Sequence, residues 1–343
     1  MKIILDAMGG DNAPEAAVLG ALDAARDFGA EITLVGRGEA ILEVMRSYNI
    51  SDLPQGVDVA NADEVVDMHD DPTSVVRKKK GSSMMLGLKM LSDGMGDAFV
   101  SAGSTGALLS GATLIVKRVR GIRRAAMAPA MPTRTGKVII VDCGANAECT
   151  PEFLLQFAIV GSLYARKSLG VEQPRVGLLN IGTEDTKGTQ LQLDTYPLLQ
   201  QAHEQGLIRF VGNVEARQVP MGDVDVVVCD GFSGNVLLKS IEGTAMFMGG
   251  MVSKMFKKSA LSKLAAALVM KDIKAFKKLL DYREIGGTQF VGIKKPVIKA
   301  HGSSDRLAFR NAVRQAMESA EADFTAELEQ TLARIKENAA NDK

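Results

Sequence analysis

Hydrophobic positions alternate along the chain between short unbroken runs rich in Val, Ile and Leu and longer stretches in which they recur every three or four residues. These are the periods of buried strands and of amphipathic helices. Residues 2–5 predict a first strand, closed by MGGDNAP at 8–14. Asp11 or Asn12 is placed there to cap a helix that has Pro14 near its first turn and runs to about Gly29. A strand at 32–35, a helix from Gly36-Arg37-Gly38 through Tyr48 and a strand at 57–60 continue the rhythm. The βαβα order implies parallel strands with right-handed crossovers. Next come helix at 72–91, strand at 98–101 and helix at 105–116; strands at 126–131 and 137–141 form a hairpin through PTRTG. Helix 151–169, strand 175–180, helix 189–205 and strand 208–211 follow.

The sharpest junction is DVDVVVCDGFSGNVLLK, from Asp223. A β-branched run too short for a helix turns at Asp230-Gly231 and becomes an apolar helical pattern from Gly234-Asn235 onward. That pattern passes Phe256 and becomes Lys-rich through Leu280, after which 288–291 and 297–301 return to strand. Helix over 303–335 closes the chain, with Ser303 or Ser304 as its cap. The whole predicts one three-layer α/β/α domain over 1–343, with a protruding helical hairpin inserted at 247–282.

Composition narrows the class. At 343 residues and 46% hydrophobic, the chain can bury a large core. Lys plus Arg balances Asp plus Glu at 41 each, which argues against nucleic acid as a partner. The three cysteines form neither an even framework nor a C-x-x-C pair, and the chain starts MKIILDAMGGD without a long apolar leader, so a reducing cytoplasm is expected. No stretch reaches the roughly 18 apolar residues of a membrane span; membrane contact would be peripheral.

Three familiar motifs fail. The stretch 182–189 has Lys187 before Gly188, the reverse of a nucleotide-binding P-loop. Gly36-x-Gly38 is followed by Ile41 where a dinucleotide fingerprint wants glycine. Gly231-Phe232-Ser233-Gly234 lacks the residue that a nucleophile elbow places between Ser and Gly. His69 and His203 lack companions at metal-ligand spacing, so neither metal nor cofactor is expected. The cysteines read as small buried side chains rather than nucleophiles.

What remains are polar groups at strand ends, where open α/β sheets bind ligands. The segment SAGSTGA at 101–107 offers Gly103, Ser104 and Thr105 to an anion, or is simply tight packing. DCGAN offers Asp142 and Asn146, which are equally good turn formers. Lys187 reads as a phosphate ligand or as a solvated loop lysine, and Asn235 as an oxyanion donor or as a helix cap. In HGSSD, sequence neighbours do not make a triad, but His301 remains a candidate substrate contact.

Two basic features concern partners. Lys117, Arg118, Arg120, Arg123 and Arg124 form a solvated helix end or a dock for an acidic carrier protein. Between Lys254 and Leu280 eight lysines and the lone acid Asp272 interleave with Leu261, Leu264, Leu268 and Val269. That stripe either packs in the core or a dimer, or lies on an anionic membrane.

Seven long stretches (DAMGGDNAP, SAGSTGA, DCGANAEC, VGLLNIGTEDTKG, FVGNVEARQ, DVVVCDGFSGNVLLK and HGSSDRLAFRNA) together resemble the bacterial fatty-acyl-[acyl-carrier-protein]:phosphate acyltransferase family, known as PlsX. Ser104 stands where that family commonly has Asn, and Thr183 in a stretch usually richer in Glu. The resemblance covers nearly the whole chain. It implies transfer of a long acyl group from acyl carrier protein to inorganic phosphate. For that chemistry the residues themselves suggest that Lys187 and the Ser104-Thr105 turn hold phosphate and that Asn235 positions it or steadies the oxyanion. The resemblance also implies a homodimer and the fold of phosphate acetyltransferases and the isocitrate/isopropylmalate dehydrogenase group. Peripheral contact with the inner face of the cell membrane would allow handover of product to a membrane glycerol-3-phosphate acyltransferase for phospholipid synthesis. The competing readings are acyl transfer from coenzyme A and a noncatalytic membrane scaffold.

Overall fold

The computed structural model describes residues 1–341. Two sheets share the strands. The first, in order β3-β2-β1-β4-β12-β11-β5, takes β1 (Lys2–Asp6), β2 (Glu31–Gly36), β3 (Val57–Asn61), β4 (Ala98–Ser101) and β5 (Ala126–Ala128) from the first third of the chain. It takes β11 (Thr288–Val291) and β12 (Val297–Lys299) from near the end. The second, in order β6-β7-β10-β8-β9, consists of β6 (Ala130–Pro132), β7 (Lys137–Val141), β8 (Arg175–Asn180), β9 (Arg209–Glu215) and β10 (Val226–Val228). Both are largely parallel, with β11 and β6 running antiparallel to their neighbours.

Alternation along each strand decides what covers it. Ile3 and Leu5 pack with α1 (Glu15–Phe28) and α12 (Arg306–Glu321), whereas Ile4 points to the opposite face, under α4 (Ser83–Ser92) and α5 (Thr105–Gly111). In the second sheet Ile139 and Val141 meet α6 (Pro151–Leu169), α7 (Gln190–Glu204) and α13 (Thr325–Asn341). Val138 and Ile140 lie with Leu237 of α8 (Gly231–Lys257). Each sheet is thus a three-layer sandwich, the expected α/β class.

Several boundaries differ from expectation, each for a local reason. The single strand predicted at 126–131 is cut at Pro129, which lacks an N–H for a ladder; β5 pairs with β11 in one sheet and β6 with β7 in the other. The helix predicted over 72–91 is two, α3 (Val75–Lys78) and α4, because the Ser82 hydroxyl accepts from Met85 N and starts a new helix. Asn12 does not cap α1, which begins without a side-chain cap. Its amide instead donates to the Ser303 and Ser304 carbonyls, both at 3.2 Å. The closing helix starts at Asp305, whose carboxylate accepts from Ala308 N, rather than at Ser303 or Ser304, and breaks before α13.

After residue 246, α8 continues to Lys257, followed by α9 (Ala260–Leu268), α10 (Met270–Leu280) and α11 (Tyr282–Ile285). Among the described residues no helix is long and apolar enough to cross a membrane.

Candidate functional site

The predicted catalytic and phosphate-site residues lie just beyond the carboxyl ends of strands in both sheets, in loops or in the first turns of the helices that follow. In the first sheet three loops interlock. Asp11 N donates to Gly302 O at 2.8 Å, and a Cβ on Gly9 would stand 2.7 Å from Gly103 N. Asp6, fully buried at the end of β1, accepts from Ser101 Oγ at 2.7 Å, and the same hydroxyl accepts from Gly103 N at 3.1 Å. Burial pushes the Asp6 carboxyl up, against hydrogen bonds from Ser83 and Ser101 that hold it down. Ser104 begins α5 without spending its hydroxyl on a cap. Among the described residues no hydrogen bond engages the Ser104 or Thr105 side chain, which leaves both hydroxyls available.

His301 lies on the neighbouring loop, its Nδ1 2.8 Å from Ser303 Oγ. Asp305 caps α12 and pairs with Arg283 at 2.9 Å. Burial together with the positive charges of Lys239 and Lys299 lowers the His301 pKa. Lys299, at the end of β12, is a buried lysine that sequence reading passed over. Its signal was visible: a charged residue inside the apolar run VIKA.

In the second sheet, Asp142 follows β7. Its carboxylate accepts from Met127 N at 2.8 Å, Cys143 N at 2.6 Å, Ala145 N at 3.2 Å and Asn146 N at 2.6 Å. Burial pushes its pKa up against these donors. Asn146 Nδ2 donates to Ala125 O at 2.8 Å and to Asp142 Oδ2 at 2.9 Å. That side chain is therefore committed to holding its own loop together, the turn-former reading rather than that of a free ligand.

The start of α8 packs directly on this loop. A Cβ at Gly231 would stand 2.5 Å from Asn146 O, and one at Gly234 would stand 2.0 Å from Asp142 O. Only glycine permits either approach. The N–H groups at this helix end are largely taken: Gly231 N donates to Asn146 O at 2.7 Å and Ser233 N to Asp230 Oδ1 at 2.8 Å. Asp230 is the cap, so Asn235 is neither the cap nor the helix start. Its exposed side chain lies beside Gly144, with no hydrogen bond to its amide among the described residues.

Helical spacing puts Asn235, Lys239 and Glu242 on one stripe. Lys239 and Glu242 pair at 2.7 Å, and both charges are felt at His301 and at Cys143. This face of α8 therefore looks across from the second sheet toward the loops of the first.

Lys187 follows β8, the strand paired with β10. Asn180 Nδ2 holds its carbonyl at 2.9 Å and Asn213 Nδ2 holds that of Glu184 at 2.8 Å. Its side chain passes over Gly182 and is exposed, with no ion pair among the described residues. Lys187 thus lies in the loop after β8 and Asn235 in the first turns of α8, after the adjacent β10, while Gly103, Ser104, Thr105 and His301 belong to strand ends of the other sheet, where His301 feels the charges of Lys239 and Glu242 on α8. The thiols play no ionised part: burial, then the nearby Asp142 charge, pushes Cys143 and Cys149 up to about 12, and burial raises Cys229 well above its ordinary value. A cavity of about 900 Å³ lies between α1 and α2 (Gly38–Ser47), lined by Glu15, Glu43 and Tyr48 and bordered by Asp11 and Asp305.

Of the basic segment only Lys117 belongs to a helix end, that of a π-helical turn, Ala112–Lys117; from Arg118 onward it is a loop anchored by buried Val119 and Ile122. Arg118 turns inward to the Arg123 carbonyl, whereas Arg120, Arg123 and Arg124 are exposed. Arg124 stacks 5.8 Å from the Phe153 ring. Because Ala125 O receives Asn146, this loop borders the Asp142 turn. In α9, Leu261, Leu264 and Leu268 are 77%, 62% and 83% exposed, and Val269 just beyond is 40% exposed.

Residues 1–327 match the model of a family described as "Fatty acid synthesis protein". A protein of Bacillus cereus (strain B4264) named phosphate acyltransferase is 47% identical over 320 residues, 93% of this chain and 94% of its own. A namesake from Thermoanaerobacterium thermosaccharolyticum is 42% identical over 332 residues, 97% of each chain. Among solved structures, a phosphotransacetylase from Streptococcus pyogenes superposes with a TM-score of 0.61 at 19% identity, covering 94% of both chains. That last likeness establishes the fold alone.

Proposed function

The chain belongs to the fatty acid synthesis protein family and is a phosphate acyltransferase; from that premise we propose that it moves a long acyl group from acyl carrier protein to inorganic phosphate, releasing the carrier thiol and making acyl phosphate for phospholipid synthesis. The observation that carries this reading is the pair of unspent polar groups after adjacent strands, the Asn235 amide and the Lys187 ammonium, together with the unspent hydroxyls of Ser104 and Thr105 at a strand end of the other sheet.

The chemistry needs no protein nucleophile. Phosphate, with a second pKa of about 6 to 7 by analogy with phosphate esters, is dianionic near neutrality and attacks the thioester carbonyl itself. One phosphate oxygen bonds to the acyl carbon, the tetrahedral oxyanion collapses, and the carrier leaves as thiolate. The protein's task is to orient the reactants and stabilise charge. Lys187, Ser104 and Thr105 hold the phosphate in place, and Asn235 donates to the oxyanion. The raised thiol pKa values support direct attack over an acyl-cysteine intermediate. The acyl chain lies along α8, where exposed Val236, Phe247 and Met251 share the stripe that leads away from the site.

Carrier docking falls to Arg120, Arg123 and Arg124, which border the site; Arg118 supports the loop from within. Exposed Leu261, Leu264, Leu268 and Val269, flanked by lysines, suit an anionic membrane surface. Lipid contact there would let acyl phosphate pass to a membrane glycerol-3-phosphate acyltransferase. The exposed apolar side chains of Met246 and Met255 suit a second copy of the chain.

The test follows thiol release and acyl-phosphate formation from palmitoyl-acyl carrier protein, with and without phosphate, beside palmitoyl-coenzyme A. Matched, phosphate-dependent release from the carrier supports the reading; a preference for coenzyme A overturns the carrier assignment, and no release from folded protein overturns the acyl transfer. Asn235→Ala is expected to lower turnover by about 100-fold or more. Arg123→Glu with Arg124→Glu should weaken carrier binding, and Leu268→Glu should reduce flotation with anionic liposomes.

A further inference from the structure

Lys299 is 8% exposed and stands at the carboxyl end of β12, in register with Ser101 of β4 and Thr288 of β11. The residues around it on the strand, Val297, Ile298 and Ala300, are fully buried apolar groups, so an apolar side chain would suit the position. The ammonium donates to Ala102 O at 3.3 Å and also to Ala300 O. These are the carbonyls just before Gly103 and just before His301. An ammonium has three N–H groups, and among the described residues the third meets no acceptor and no carboxylate forms an ion pair with it. Asp11 and Asp6 act on this buried cation without touching it; a buried charge that lacks a contacting partner is costly, which argues for a further anion beside it.

We propose that Lys299 is a positioning residue for phosphate, clamping the 101–105 and 300–305 loops through the Ala102 and Ala300 carbonyls and setting a fixed positive charge behind the phosphate subsite. This rests on the reading above that Gly103, Ser104 and Thr105 receive phosphate. Burial lowers the Lys299 pKa to about 8, with Asp11 and Asp6 opposing and Lys239 reinforcing the shift. The clamp is therefore charged at neutral pH and discharges as the medium becomes mildly alkaline. His301, also alongside, changes charge on the acid side of its ordinary range, away from this transition.

Steady-state kinetics of the full-length protein test the clamp. Lys299→Met should raise KM for phosphate by about tenfold or more, the loss of one charge-assisted interaction, while kcat at saturating phosphate and KM for acyl carrier protein stay within about threefold. In the unsubstituted protein KM for phosphate should climb as pH passes about 8 with kcat level, and Lys299→Arg should remove that limb. An unchanged phosphate KM in Lys299→Met, or a flat profile in the unsubstituted protein between about pH 7 and 9.5, overturns the proposal. Should Lys299→Met fail to fold by circular dichroism, the unsubstituted profile decides. Calorimetric titration with inorganic phosphate separates the two readings: absence of turnover breaks the acyl-transfer assignment, whereas phosphate affinity that ignores pH breaks the clamp.

Discussion

Adding one methyl group at Gly234 probes how tightly the start of α8 is tied to the Asp142 turn. A Cβ there would lie 2.0 Å from the Asp142 carbonyl oxygen and 2.8 Å from Cys229 Sγ. Non-bonded contacts of this kind stay above about 3 Å in a close-packed interior, so the helix start must withdraw by about 1 Å. The obstacle is backbone, held in place because the Asp142 carboxylate gathers four main-chain N–H groups, and it has nowhere to turn. Overpacking of this sort costs about 1–3 kcal/mol. Asn235, the next residue, moves with the helix, and a misplacement of about 1 Å in a reacting site costs up to about 100-fold. Gly234→Ala should therefore lose both stability, read as the urea midpoint, and kcat/KM for acyl-phosphate formation. Gly249→Ala is the control. It lies in the same helix with nothing within 4 Å of its Cβ and should gain up to about 1 kcal/mol from helix propensity without affecting turnover. Turnover within about threefold of the parent in Gly234→Ala would refute the placement of Asn235 at the reacting atoms, even if stability falls.

Other consequences can be read in the same way. Arg306→Ala should cost about 1–3 kcal/mol near neutral pH, because Asp23, 11% exposed, loses the fork that ties α1 to α12 at 2.7 Å. The Arg306 hydrogen bond is the main cause of the lowered Asp23 pKa. Its stabilisation is present above the ordinary carboxylate range and lost as pH falls through the lowered value, so the gap between variant and parent in urea melts should close in acid and would be misassigned if it persisted. Asp230→Ala removes the α8 cap, 2.8 Å from Ser233 N, and should cost about 1 kcal/mol, with Asp230→Asn recovering most of it. Iodoacetamide at neutral pH should leave activity intact, since burial keeps the Cys143 and Cys149 thiols protonated up to about 12; rapid inactivation of native protein would contradict this assignment.

Local chemistry was sufficient for much of this. The β-branched runs at 2–5, 32–35 and 98–101 became β1, β2 and β4 because period and composition act over a few residues, and Gly29 ends α1 in the left-handed conformation that favours glycine. The strand ends that carry Ser104, Lys187, Asn235 and His301 were legible for the same reason. The partners of those residues were not. Nothing local distinguishes a helix begun by Asp230 from one begun at Gly234-Asn235, or shows that Asn146 spends its amide on the Ala125 carbonyl and Asp142. Nor does composition reveal that Pro129 sends one predicted strand into two sheets, β5 pairing with β11 and β6 with β7. These outcomes depend on contacts between residues far apart in the chain, where burial, hydrogen-bond satisfaction and steric fit are decided together. Lys299 shows the difference most plainly: in sequence it is one lysine among many, and only the closing of β12 against β4 buries its charge between two loops.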